Sequence, residues 1–165
     1  MANSSLNYPL PEGWRGREIA PHDDEGKAHK PEMHPTAVAP GGLVTTPSDL
    51  ALFASELMKA WQGESNLILS RETVRRMFQP VMKLDPSPLG FPMAQALGVF
   101  IFSAGESMSF CHPGDNYPGA SSWLIGFPAI GKGAVIMTNG AKGNLIALEV
   151  LGALEKEYNW PPFKM

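Results

Sequence analysis

The sequence carries one cysteine, Cys111, in 165 residues. An intramolecular disulfide is therefore excluded, and the redox compartment stays open. No apolar run approaches the roughly 20 residues that cross a bilayer as a helix. Met1 to Tyr8 is polar, without the basic and apolar regions of a secretory signal. The chain is expected to begin either in the cytoplasm or within something longer, so its localisation is unknown at this point. Basic residues are not in excess: 13 Lys and Arg stand against 16 Asp and Glu, a net charge of −3, and they form no stripe. No nucleic-acid or membrane partner is expected from that balance.

What is present is ordinary core-forming material: 44% hydrophobic and 18% charged residues. Seventeen Gly and sixteen Pro imply many turns. Pro9, Pro11, Pro21, Pro31, Pro35 and Pro40 punctuate the first forty residues. Each removes an N–H donor and restricts its predecessor. Residues 1–40 read as an irregular connection running over a body formed by other sequence.

Order begins after Gly41-Gly42-Leu43-Val44. Thr46 is placed to cap a helix, with Pro47 at its first position and Asp49 at the capping-box acid. Leu50, Phe53, Ala54, Leu57, Met58 and Trp61 form one apolar face, and Gly63 closes the helix. A second helix starts at Ser70, carries Val74, Met77 and Phe78, and ends by Pro80. Residues 83–96 read as a loop. Four short runs follow, Leu97–Phe102, Ser107–Cys111, Ser122–Phe127 and Gly133–Thr138, with connections too short for crossover helices. A last helix should be capped by Asn144 and present Leu148, Leu151, Leu154 and Tyr158 along one face. The expected fold is α+β, an antiparallel sheet of about four strands with helices covering a face. Residues 41–165 would form one partial domain.

Two stretches carry a resemblance. The first is Pro40-Gly41-Gly42-Leu43-Val44-Thr45-Thr46-Pro47-Ser48-Asp49-Leu50-Ala51-Leu52-Phe53. The second runs from Cys111-His112-Pro113-Gly114-Asp115-Asn116 to Ser122, followed by the strand Gly133–Asn139. Together with Leu97-Gly98-Val99-Phe100 they resemble the C-terminal part of the β-lactamase-related serine hydrolases, which include penicillin-binding proteins and esterases. The match covers about residues 40–155. The resemblance implies a third-motif strand that walls the active-site cleft. His112 would help position substrate and the proton network. Pro113 and Gly114 would lie against the substrate, Gly114 leaving room for it. The backbone N–H of Asp115 would be one of two oxyanion-hole donors.

The departures weigh as much. No Ser in the chain has Lys three residues later, so the family's Ser-x-x-Lys nucleophile is missing. The second motif, Tyr-x-Asn or Ser-x-Asn, is missing too, apart from a chance Ser5-x-Asn7 near the start. The reading is a truncated or split hydrolase, inactive alone, that would act on a small-molecule or peptide substrate once an N-terminal half completes it. The alternative is a non-catalytic binding or oligomerisation module. An open sheet edge in either case leads to an expectation of self-association.

Several blander readings compete. His22, Asp23, Asp24, His29 and His34 fit no zinc spacing and read as a solvated loop, so neither a metal nor any other cofactor is expected. Cys111 reads as a small buried hydrophobe rather than a nucleophile, and adjacent strand residues point to opposite faces, away from pairing with His112. Gly119-Ala120-Ser121-Ser122-Trp123 lacks the closing Gly of a nucleophile elbow and precedes a strand. The four Trp residues read as packing residues.

Overall fold

A computed structural model describes residues 1–7, 9–31, 41–85, 92–102 and 107–161. The elements in chain order are a short 3-10 turn (Glu12–Trp14), helices α1 (Pro47–Gln62) and α2 (Arg71–Met77), strands β1 (Met82–Leu84), β2 (Met93–Gln95), β3 (Phe100–Ile101), β4 (Phe110–Asn116), β5 (Ala120–Phe127) and β6 (Lys132–Thr138), and helix α3 (Gly143–Tyr158). The strands form one antiparallel meander, ordered β1-β2-β3-β4-β5-β6.

The α+β class is as expected, but the sheet has six strands, not four. The two extra strands fall where a Pro- and Gly-containing loop was expected. Each is three residues long, too short to show the alternation that marks a strand. Helices also cover both faces. Phe110, Leu124 and Ile101 pack with Ala54, Leu57 and Met58 of α1 and Val74 of α2. Cys111, Trp123 and Ile125 pack with Ala147 and Leu151 of α3. The period-2 alternation of β4 and β5 thus feeds two separate cores. One tight spot lies at Gly126: a Cβ there would come within 2.5 Å of the Phe110 ring.

The caps decide the helix ends. The Thr46 hydroxyl accepts from Asp49 N–H at 3.2 Å, and Gly63 takes φ 88°. Asp49 does not close a capping box. Its carboxylate instead accepts from Asn3 N–H (2.7 Å) and the Ser4 hydroxyl (2.8 Å), tying the start of the chain to α1. Asn144 is not a cap either. It lies inside α3 and accepts from the buried Trp123 indole N–H at 2.8 Å. Tyr158 is 62% exposed, off the apolar face expected for it.

The early segment runs over this body. Ser5 and Val44 exchange backbone hydrogen bonds (2.9 and 3.0 Å), and His22 N–H donates to Asn139 C=O at 2.8 Å, just beyond β6. No helix among the described residues is long and apolar enough to cross a membrane.

Candidate active-site wall

Strand β4 runs through His112, Pro113, Gly114 and Asp115 to Asn116 without a break, so the expected strand end at Cys111 is five residues too early. The backbone explains how a proline fits. Ser109 C=O accepts from Phe102 N–H. Antiparallel alternation then turns the odd-numbered backbone groups of β4 toward β3 and the even-numbered ones toward β5. Strand β3 pairs only with Phe110 and Cys111. Pro113 therefore sits where no ladder partner is present to miss its N–H, the position sheets allow to proline. By the same alternation the Asp115 N–H points out of the open side of β4, unused by the β5 ladder.

The side chains sort by parity. His112 pairs with Leu124 and Gly114 with Ser122, on the face that α1 and α2 cover further along. His112 is exposed, its ring 6.2 Å from that of Phe100. A Cβ on Gly114 would stand 2.8 Å from the Ser122 hydroxyl. The space that Gly114 leaves is thus taken by Ser122, a residue the sequence reading weighed only within a rejected nucleophile elbow. The signal for it was weak: register across the β4–β5 hairpin, which the strand boundaries expected from sequence did not fix. No partner for the Ser122 hydroxyl or the His112 imidazole occurs among the described residues. The Asp115 carboxylate faces the other way and accepts from the buried Ser121 hydroxyl at 2.8 Å. Only its backbone is on offer to the site.

The structure also brings the two resembling stretches together. A Cβ on Gly41 would lie 3.9 Å from Asn116 Oδ1, so the Gly41-Gly42 run borders the far end of β4. It separates Cys111 from His112. Cys111 is fully buried on the α3 side, and loss of solvation pushes its thiol far above the ordinary range. It is a packing residue, not a thiolate.

In the His22–His29 loop, His29 Nε2 and Asp23 Oδ2 lie 2.6 Å apart, and that bond holds the Asp23 carboxyl below its usual value. No group of three His, Cys, Asp or Glu able to hold a metal occurs among the described residues, and His34 lies outside them.

The Beta-lactamase family model matches residues 1–153. The chain belongs to the β-lactamase family. Solved structures share its fold. A β-lactamase/D-alanine carboxypeptidase from Pseudomonas syringae superposes with a TM-score of 0.71 at 12% identity, over 97% of this chain and 49% of that one. An octameric penicillin-binding protein homologue from Pyrococcus abyssi gives 0.70 at 20% identity, over 93% of this chain and 34% of that one. A D-alanine carboxypeptidase from Burkholderia cenocepacia gives 0.68 at 16% identity, over 92% and 50%. The chain thus spans half or less of the length of these neighbours. No curated protein matches it.

Proposed function

We propose that this chain supplies the β4 wall of a serine-hydrolase site acting on β-lactams, esters or peptides, and that it has no turnover on its own. The observation that carries the reading is the open side of β4. There the exposed His112 imidazole, the side-chain-free Gly114 and the outward Asp115 N–H occur together, at the family's third-motif positions. His112 would orient substrate and relay a proton. Pro113 and Gly114 would line the substrate's path. The Asp115 N–H would stabilise the oxyanion, a donor whose loss typically costs about 10²–10³ in rate. The attacking hydroxyl must come from sequence other than this, because none of its serines has the Ser-x-x-Lys context. The octameric state named for the Pyrococcus abyssi relative supports the expected self-association.

The purified chain is expected to leave a chromogenic cephalosporin and a p-nitrophenyl ester intact. Supplied with a polypeptide bearing a family Ser-x-x-Lys half, it should gain turnover, and His112→Ala should remove that gain. Stoichiometric turnover by the chain alone, lost on His112→Ala, would overturn the split-site reading.

A further inference from the structure

Asp115 enters the wall by its backbone, so whatever fixes that backbone fixes the donor. In the alternation of β4, residues 112, 114 and 116 turn their backbone groups to β5, and Asp115 does not. Its N–H belongs to the peptide that joins it to Gly114. The C=O of that same peptide is held by β5, opposite Ser122. One bond leaves the peptide plane able to tilt about it, and Gly114 has no Cβ to resist the tilt. A second fastening is needed, and it acts on the Asp115 side chain.

Ser121 supplies it. The two residues stand directly opposite, at a pair without ladder bonds, where side chains come closest. The Ser121 hydroxyl donates to Asp115 Oδ1 at 2.8 Å. Ser121 itself has little freedom, being 2% exposed. Its backbone turns to β6, opposite Thr138, whose hydroxyl donates to the Ser121 C=O at 3.4 Å. A Cβ on Gly143, the first residue of α3, would stand 3.0 Å from Ser121 Cβ. The hydroxyl therefore reaches Asp115 from a point that β6 and the start of α3 hold in place. A hydroxyl on a carboxylate is also a charge-assisted bond, stronger than a neutral one. It keeps the Asp115 charge on the α3 face, opposite to the face of His112. A carboxylate swung toward the outward N–H would oppose an oxyanion forming there.

We propose that Ser121 is a positioning residue of the site: through Asp115 it aims the N–H at the oxyanion and holds the carboxylate away from it. This assignment rests on the hydrolase reading of β4. Ser121 acts only through Asp115, so its loss should be felt in the transition state, lowering kcat while KM stays. An oxyanion donor is worth about 10²–10³ in rate, and a donor kept but loosened should lose about tenfold of that.

Two measurements on the full chain test it. The first is ¹⁵N relaxation, which needs no catalysis. The Asp115 N–H should have an order parameter of about 0.85 in the unmodified chain and fall toward about 0.6 in Ser121→Ala. The amides of Leu124 and Ile125 should not change. Asp115→Asn keeps an acceptor for the hydroxyl and should keep that amide ordered. Asp115→Ala should loosen it as Ser121→Ala does, and the double variant no further. An Asp115 amide that stays rigid in Ser121→Ala, or a hairpin that loosens throughout, would overturn the assignment. The second is turnover of a p-nitrophenyl ester by the chain mixed with a polypeptide bearing a Ser-x-x-Lys half. Ser121→Ala should lower kcat about tenfold with KM within about twofold. Unchanged kcat, or a loss confined to KM, sinks the assignment and leaves the hydrolase reading standing. No turnover by the unmodified mixture sinks the hydrolase reading, and the assignment falls with it.

Discussion

The two halves of β4 obey different rules. Phe110 and Cys111 are fully buried, bonded to strands on both sides, and divided between two cores. From His112 to Asn116 the strand has a neighbouring strand on one side alone among the described residues, and its side chains are exposed or half-buried. The inner half spends its residues on packing. The outer half holds groups whose local partners are few: an imidazole, a glycine, an outward N–H. A single strand thus anchors the site and presents it. The rigid inner half is what would hold the outer half in register against a substrate.

The comparison breaks most sharply at Phe110. Its ring stacks on Phe78 with centroids 4.5 Å apart and fills the notch beside Gly126. Phe110→Ala removes that ring from a site with little room to relax, because the β5 backbone fixes Gly126 and Phe78 is itself buried at the end of α2. A loss of about 3–5 kcal/mol is expected in urea unfolding. A loss below about 1 kcal/mol would mean that the inner half is not the anchor described here.

A smaller effect separates the outer half. Gly114→Ala puts a methyl 2.8 Å from the Ser122 hydroxyl, which must rotate aside. The cost expected is about 0.5–1.5 kcal/mol, the range for a side chain forced off its rotamer. Ser122→Ala removes the obstructing oxygen, so the double variant should recover most of that loss. Additive costs in the double-mutant cycle would show that Gly114 is kept for a reason other than Ser122.

The same contrast explains what could be read from the sequence. The helices α1 and α2 were legible because their signals are local: a Thr or Ser cap, an apolar face at helical spacing, a closing glycine or proline. The buried parts of β4 and β5 and the half-buried middle of β6 were legible because aliphatic and aromatic runs have few other uses. Strands β1 and β2 were not, since three residues carry no period. Asn144 and Asp49 misled because their side chains serve distant partners, the Trp123 indole and the Asn3–Ser4 backbone and hydroxyl, while sequence reasoning credits them to their own helix. At the site, His112, Gly114 and Asp115 came from motif resemblance. Ser122 needed the register, and the free side of β4 needed the knowledge that β3 is only two residues long.

Asp49 provides the mildest test, because it asks whether the backdrop of the outer half is fastened separately. Residues 41–44 reach Asn116 at one end and lead into α1 at the other, where Asp49 holds Asn3 and Ser4. The Ser4 hydroxyl, and then the Asn3 N–H, hold its carboxyl below the usual value of 3.8, against the opposing effect of burial. A lowered folded value means that the folded state prefers the charged form. The contact therefore contributes fully above the unfolded carboxylate range and is lost as pH falls through the lower folded value. In an acid titration followed by NMR, the Asn3 amide should shift with a midpoint below 3.8. Ser4→Ala should raise that midpoint. The Phe110 ring signals should stay unchanged through the same step, since nothing in the inner half of β4 touches Asp49. A midpoint at or above 3.8, or inner-half signals moving in concert, would show that the two regions are fastened as one.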